Sequence, residues 1–152
     1  MDELIERIVE RKEREERQLK WDRRFLRVAA EVQSWSKDPS TKVGAVLVRD
    51  REIISCGYNG PPSRINDDDR MLDREFKLSV TVHAEMNAIY NASRTGVSLE
   101  GATAYIHGLP CCHECAKALI QVGIKEVIMK LRNVYLALKG QLPLSRMYRN
   151  FI

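Results

Sequence analysis

The stretch VHAEMNAIYNASRTGVSLEGATAYIHGLPCCHECAKALIQVGIKEVIM, residues 82–129, decides the fold. Val82 to about Arg94 reads as a helix, and Gly96 stands where a helix stops. Thr103 to His107 reads as a short strand. Cys111 to Val122 reads as a second helix closed by Gly123, and Lys125 to Met129 as a further strand. Helices and strands alternating at this spacing predict a sheet covered on both faces.

Toward the N-terminus, Val43–Val48 and Ile53–Tyr58 read as two strands, with the polar Arg49-Asp50-Arg51-Glu52 as their hairpin turn. Asn59-Gly60-Pro61-Pro62 breaks the second strand, and a polar loop through Asp67-Asp68-Asp69 follows. Trp21 to Trp35 carries Trp21, Phe25, Val28, Ala29 and Val32 at spacings of three and four, the stripe of an amphipathic helix. Ser36-Lys37-Asp38-Pro39 ends it, since the residue before a proline is pushed out of the helical region. Residues 1–20 read as a separate charged N-terminal helix with acids and bases interleaved. Residues 21–152 read as a single domain. In the tail, Val134–Leu138 suits a last strand, and Pro143 argues against a long final helix.

A chain of 152 residues is the size of one ordinary domain, and a hydrophobic fraction of 44% is enough for one core. The formal net charge of +4 suits an anionic ligand. No stretch approaches the roughly 20 apolar residues that span a bilayer, so no membrane partner is expected. The start, Met1-Asp2-Glu3, lacks the pattern of a secretory signal, and a cytoplasmic location is the expectation. Three of the four cysteines, Cys111, Cys112 and Cys115, crowd into five positions, which suits metal binding better than a disulfide framework.

Catalytic zinc commonly has three protein ligands and one open position. Cys112 and Cys115, in the first turn of a helix, can present both sulfurs to one ion. His83 is the best third donor. Glu85, two residues on, cannot easily share that ion and can serve beside it as a proton carrier. Helix N-termini also favour thiolate over thiol. The run Pro110-Cys111-Cys112 leaves two pairings open. Cys112 with Cys115 keeps the two-residue gap; Cys111 with Cys115 does not. His107 or His113 could instead close a structural site with four ligands.

A histidine, any residue and a glutamate, followed by two cysteines with two residues between them, is the signature of zinc nucleobase deaminases. Through His83-Ala84-Glu85-Met86-Asn87-Ala88-Ile89, Cys115-Ala116-Lys117 and Gly123-Ile124-Lys125-Glu126-Val127, the chain resembles the cytidine and deoxycytidylate deaminase superfamily. Ser36-Lys37-Asp38-Pro39, Lys42-Val43-Gly44-Ala45-Val46 and Gly57-Tyr58-Asn59-Gly60 resemble its deoxycytidylate branch. The resemblance runs from about Trp21 to Met129.

It implies an α/β fold, a three-layer α/β/α sandwich with a mixed sheet of about five strands. It implies one catalytic Zn2+ per chain held by His83, Cys112 and Cys115, with Glu85 as the catalytic proton shuttle. It implies a small deoxycytidine nucleotide as substrate, converted from dCMP to dUMP with release of ammonia. Asn59 resembles the asparagine that binds the deoxyribose hydroxyl. Arg94 resembles a basic residue that helps select substrate, and Ser36 and Lys37 are phosphate candidates. The family also implies a homo-oligomer, often a hexamer. Three other readings are a dual dCMP/dCTP deaminase, a deaminase of bases within nucleic acid, and a non-catalytic zinc module. An aromatic content of 7% offers few platforms for a nucleic-acid strand, and the intact Glu85 has no purpose in a purely structural site.

Overall fold

Strand β1 (Gly44–Arg49) is packed from both sides. Its Ala45 and Leu47 enter one apolar cluster while Val46 and Val48 enter another, as the two-residue period of a strand requires. β3 (Thr103–His107) repeats the division, with Ala104 and Ile106 on one side and Tyr105 on the other. β4 (Glu126–Leu131) does so with Val127 and Met129 against Ile128. Helix α1 (Asp2–Ser34) completes the second cluster through Phe25, Leu26, Ala29 and Val32. Helices α3 (Ala84–Thr95) and α4 (His113–Gln121) complete the first. The computed structural model, which describes residues 1–131 and 134–139, is therefore a three-layer α/β/α sandwich.

The sheet has five strands in the order β2-β1-β3-β4-β5, with β2 at Glu52–Tyr58 and β5 at Val134–Lys139. All neighbouring pairs are antiparallel except β3 and β4. Parallel neighbours need a crossover, and α4 supplies it. The β1–β2 turn takes positive φ at both Asp50 (51°) and Arg51 (64°). That is the primed geometry matching strand twist, held here without glycine.

Two expectations differ from the structure. The charged segment and the amphipathic segment are one continuous helix, since no glycine or proline interrupts residues 2–34. The segment read as a polar loop after Asn59 contains a 3-10 turn at Asp69–Leu72 and the helix α2 (Arg74–Val80). The Asp73 carboxylate accepts the Phe76 N–H at 2.7 Å and so caps α2. Residues from 140 onward, Pro143 included, lie outside the described residues. No described helix is long and apolar enough to cross a membrane.

Strand β2 and α3 are joined closely. A side chain at Gly57 would collide with the backbone of Ala84 and Ala88, so glycine permits the approach. The Ser55 hydroxyl donates to the Ala88 carbonyl at 2.7 Å, and Asn91 donates to the Cys56 carbonyl at 2.9 Å. Asn87 donates to the Tyr58 carbonyl at 2.8 Å. These bonds fix the N-terminal end of α3 relative to the sheet.

Candidate active site

His83 is the N-cap residue of α3, and Cys112 is the N-cap of α4. The two helices pack side by side on one face of the sheet, so their N-terminal ends meet. The Cys112 sulfur accepts the Cys115 N–H at 3.5 Å, an N-cap contact made by sulfur. The His83 Nδ1 lies 3.4 Å from the Cys112 Sγ and 3.4 Å from the Cys115 Sγ. Among the described residues, His83, Cys112 and Cys115 form a donor group whose ligand atoms all lie within 4.8 Å of one another.

On a tetrahedral zinc with ordinary bond lengths, sulfur and nitrogen ligands stand about 3.5 Å apart. The spacing and the chemistry of the trio thus fit one zinc ion. Hydrogen bonds from Cys111, Cys112 and His83 pull the Cys115 thiol below its ordinary range, which favours ligation. Burial pushes the Cys112 thiol up.

Cys111 touches the trio but is not among its donors. It is buried in the apolar core, and its N–H points to the Met129 sulfur at 3.5 Å. Its hydrogen bond with Cys115 drives its own thiol upward. His107 is engaged elsewhere, its Nδ1 at 2.7 Å from the Gln33 Oε1. His113 is exposed. No fourth described histidine, cysteine or carboxylate joins the trio.

Glu85 is only 4% exposed, in the first turn of α3. Burial, reinforced by the charge of Cys115, pushes its carboxyl up to about 7. A cavity of about 360 Å³ opens over it, lined among others by His83, Glu85 and Cys112. The volume suits a small organic ligand.

Two cations, Arg74 and Lys77 of α2, and a carboxylate, Asp38, also line the cavity. The Lys77 ammonium lies 3.2 Å from Asp38 Oδ1 and donates to the Ser40 hydroxyl at 2.8 Å. Burial works to raise the Asp38 carboxyl. The N–H groups of Thr41 and Ser40, the Ser40 hydroxyl and Lys77 outweigh it and hold the group at about 2. The spacing of Arg74 and Lys77 on one turn, behind the cap-forming Asp73, was the available signal for these cations.

Of the expected nucleotide contacts, Asn59 lines the cavity. Its amide is committed to the backbone, however. Its Oδ1 accepts the Val43 N–H at 2.8 Å and its Nδ2 donates to the Thr41 carbonyl at 2.8 Å. Ser36 is buried behind it, donating to the Asn59 carbonyl at 2.8 Å. Lys37 is exposed and, like Ser36 and Arg94, stands outside the cavity lining. Arg94 sits in the last turn of α3 and reaches the Ser63 hydroxyl at 3.4 Å.

A three-layer α/β/α frame whose helix ends bring a histidine and two cysteines around one point, beside a buried carboxylate, defines a mononuclear zinc protein. The family described as the cytidine and deoxycytidylate deaminase zinc-binding region matches residues 19–131. An uncharacterized deaminase of Aliivibrio fischeri is 45% identical over 108 residues, covering 71% of both chains. Human deoxycytidylate deaminase is 40% identical over 119 residues, covering 72% of this chain and 64% of that protein. The Caenorhabditis elegans probable deoxycytidylate deaminase is 45% identical over 114 residues, covering 72% of this chain and 56% of that one. The chain thus spans between about half and three quarters of the length of these relatives. The apo crystal structure of the dCMP deaminase of cyanophage S-TIM5 shares the fold, with a TM-score of 0.64 at 23% identity over 83% of this chain and 90% of that one. This chain belongs to the cytidine and deoxycytidylate deaminase zinc-binding family.

Proposed function

We infer that the chain catalyses the hydrolytic deamination of a free deoxycytidine nucleotide, converting dCMP to dUMP and ammonia and supplying dUMP for thymidylate synthesis. The observation that carries the reading is one cavity lined by the trio's His83 and Cys112, by the buried Glu85, and by the cations Arg74 and Lys77. The names of relatives at 40–45% identity support it.

His83, Cys112 and Cys115 would hold the zinc. The chemistry supplied by an ion held there would be a water made nucleophilic, its pKa lowered toward about 7. Glu85 accepts the proton that the attacking water loses. It hands that proton to N3 of the cytosine ring, then takes the proton left on the oxygen now bound to C4 and gives it to the exocyclic amine. The C4–N bond breaks, ammonia leaves, and the water oxygen remains as the uracil carbonyl. A carboxyl pushed toward neutrality by burial is poised to give and take a proton. Because Glu85 is buried, bulk water does not compete for that proton.

Arg74 and Lys77 take the 5′-phosphate, Lys77 exchanging its contact with Asp38 for the ligand. Asn59 acts chiefly as a clamp joining the 41–43 segment to the end of β2, and through it shapes the wall beside the sugar. Ser36 backs that clamp. Lys37 and Arg94, outside the cavity lining, make no direct contact with the nucleotide. The catalytic unit is residues 21–152, with the first twenty residues appended to it. The assembly is a homo-oligomer, and its location is the cytoplasm, where thiols stay reduced.

Steady-state kinetics on dCMP, dCTP, CMP and deoxycytidine, before and after removal of zinc, test the proposal. Preference for dCMP that is lost with zinc and restored by it is expected. Turnover indifferent to the phosphate would overturn the role of Arg74 and Lys77. No turnover of any free cytosine nucleotide would overturn the activity itself.

A further inference from the structure

Residues 2–20 of α1 are exposed throughout. The 33-residue helix is about 50 Å long at the usual rise, and its first half leaves the described body of the protein. Helices in water owe most of their stability to packing of an apolar face. Leu4, Ile5, Ile8 and Val9 form such a face, with Leu4 63% and Ile5 54% exposed and no described residue covering them. Charge is segregated along this helix at longer range than its local interleaving suggests. Residues 2–10 carry four acids, Asp2, Glu3, Glu6 and Glu10, against the single Arg7.

The other half of α1 offers the complement. A groove of about 440 Å³ beside α1 is lined by Lys20, Arg23, Arg24, Arg27 and Glu16 of the helix and by Lys130 of β4. Five cations thus face one carboxylate. Arg24 and Arg51 each stack on the Trp21 ring, at 4.5 and 4.8 Å from its centroid, which holds the tryptophan and Arg24 in place at the groove's edge. The groove lies on the α1 side of the sheet, away from the catalytic cavity on the α3 and α4 side.

We propose that α1 pairs antiparallel with α1 of a second copy of this chain, the acidic and apolar first turns of each helix lying in the basic groove of the other. An acidic end and a basic end on one rigid helix are self-complementary under a two-fold axis. Centring the pair near Arg14 sets residues 2–10 of one helix beside residues 19–27 of the other. Leu4, Ile5, Ile8 and Val9 are then covered, and like ends are kept apart.

The test mixes two zinc-loaded populations of the full chain, one tagged and carrying Glu6→Cys, the other untagged and carrying Arg23→Cys, with a short bismaleimide. A tagged-to-untagged crosslink is expected in the mixture and in neither population alone, because two copies of position 6 lie far apart in an antiparallel pair. Adding Lys20→Glu and Arg27→Glu to the second population should lower the yield about tenfold, through like-charge contact. Adding Glu3→Lys and Glu10→Lys to the first should restore it. Absence of the mixed crosslink, failure of the charge swap to rescue, or equal crosslinking within the single populations would overturn the proposal. So would a single-stranded DNA oligonucleotide that binds the groove and blocks the crosslink, since that gives the groove to a polyanion. The same holds if removing residues 140–152 is what exposes the groove, since that gives it to the chain's own tail.

Discussion

The two walls of the cavity are built by different means. The metal wall is made by local sequence: His83 and Glu85 sit two residues apart at one helix start, and Cys112 and Cys115 three apart at another. The cationic wall is made by distance. Lys77 meets Asp38 and Ser40 across nearly forty residues, through a helix of seven residues. One wall tolerates nothing but its own residue types, because a metal sets the geometry. The other works by charge and position, and a neighbouring cation can partly compensate for a lost one.

Removing a sulfur from the first wall should give the largest effect. Cys115→Ser is expected to abolish turnover together with bound zinc, read by elemental analysis on folded protein. Cys111→Ser, the paired control, should keep about one zinc per chain, because Cys111 lies in the core outside the donor trio. Zinc lost from Cys111→Ser and kept in Cys115→Ser would exchange their roles.

Glu85→Gln breaks the chemistry of the same wall without touching the donors. Zinc and fold should remain while kcat falls about 10²–10⁴-fold, the usual cost of losing an acid–base group. Turnover near the parent rate would move the shuttle elsewhere, and loss of zinc would make Glu85 a ligand.

The second wall should respond in KM. Lys77→Met is expected to raise KM for dCMP about tenfold, the scale of one charge-assisted hydrogen bond. Turnover of deoxycytidine, which lacks the phosphate, should change little. An equal change for both substrates would show that Lys77 only supports the fold through Asp38.

The smallest functional effect belongs to the clamp between the walls. Asn59→Ala should lower stability to denaturant by about 1–3 kcal/mol, because it leaves the buried Val43 N–H without its acceptor. A loss of dCMP affinity with unchanged stability would restore a direct sugar contact for Asn59.

This contrast also explains what could be read in advance. The strands were legible because β1, β3 and β4 feed two cores and alternate accordingly. The metal trio was legible because its spacing is dictated by bond lengths. Helix α2 was not, since seven residues with no buried member carry no apolar period, and only its Asp73 cap announced it. Ser36 and Lys37 looked alike as polar neighbours. Yet one is sealed under the Asn59 carbonyl and the other is in solvent, a difference set by contacts 23 residues away.

The donor trio spans two helices separated by strand β3, so an ion held there ties His83 to Cys112 across a 28-residue loop. An ion that binds only the folded form adds stability in proportion to the logarithm of its free concentration, once that exceeds its dissociation constant. The lifetime of this enzyme in a cell is therefore linked to the metal supply. Without zinc, the α3–α4 seam rests on apolar packing and on the contacts of His83 with the two sulfurs, and molecules without metal are expected to be the first to open to proteases. A shortage would thin the population of chains rather than slow each one.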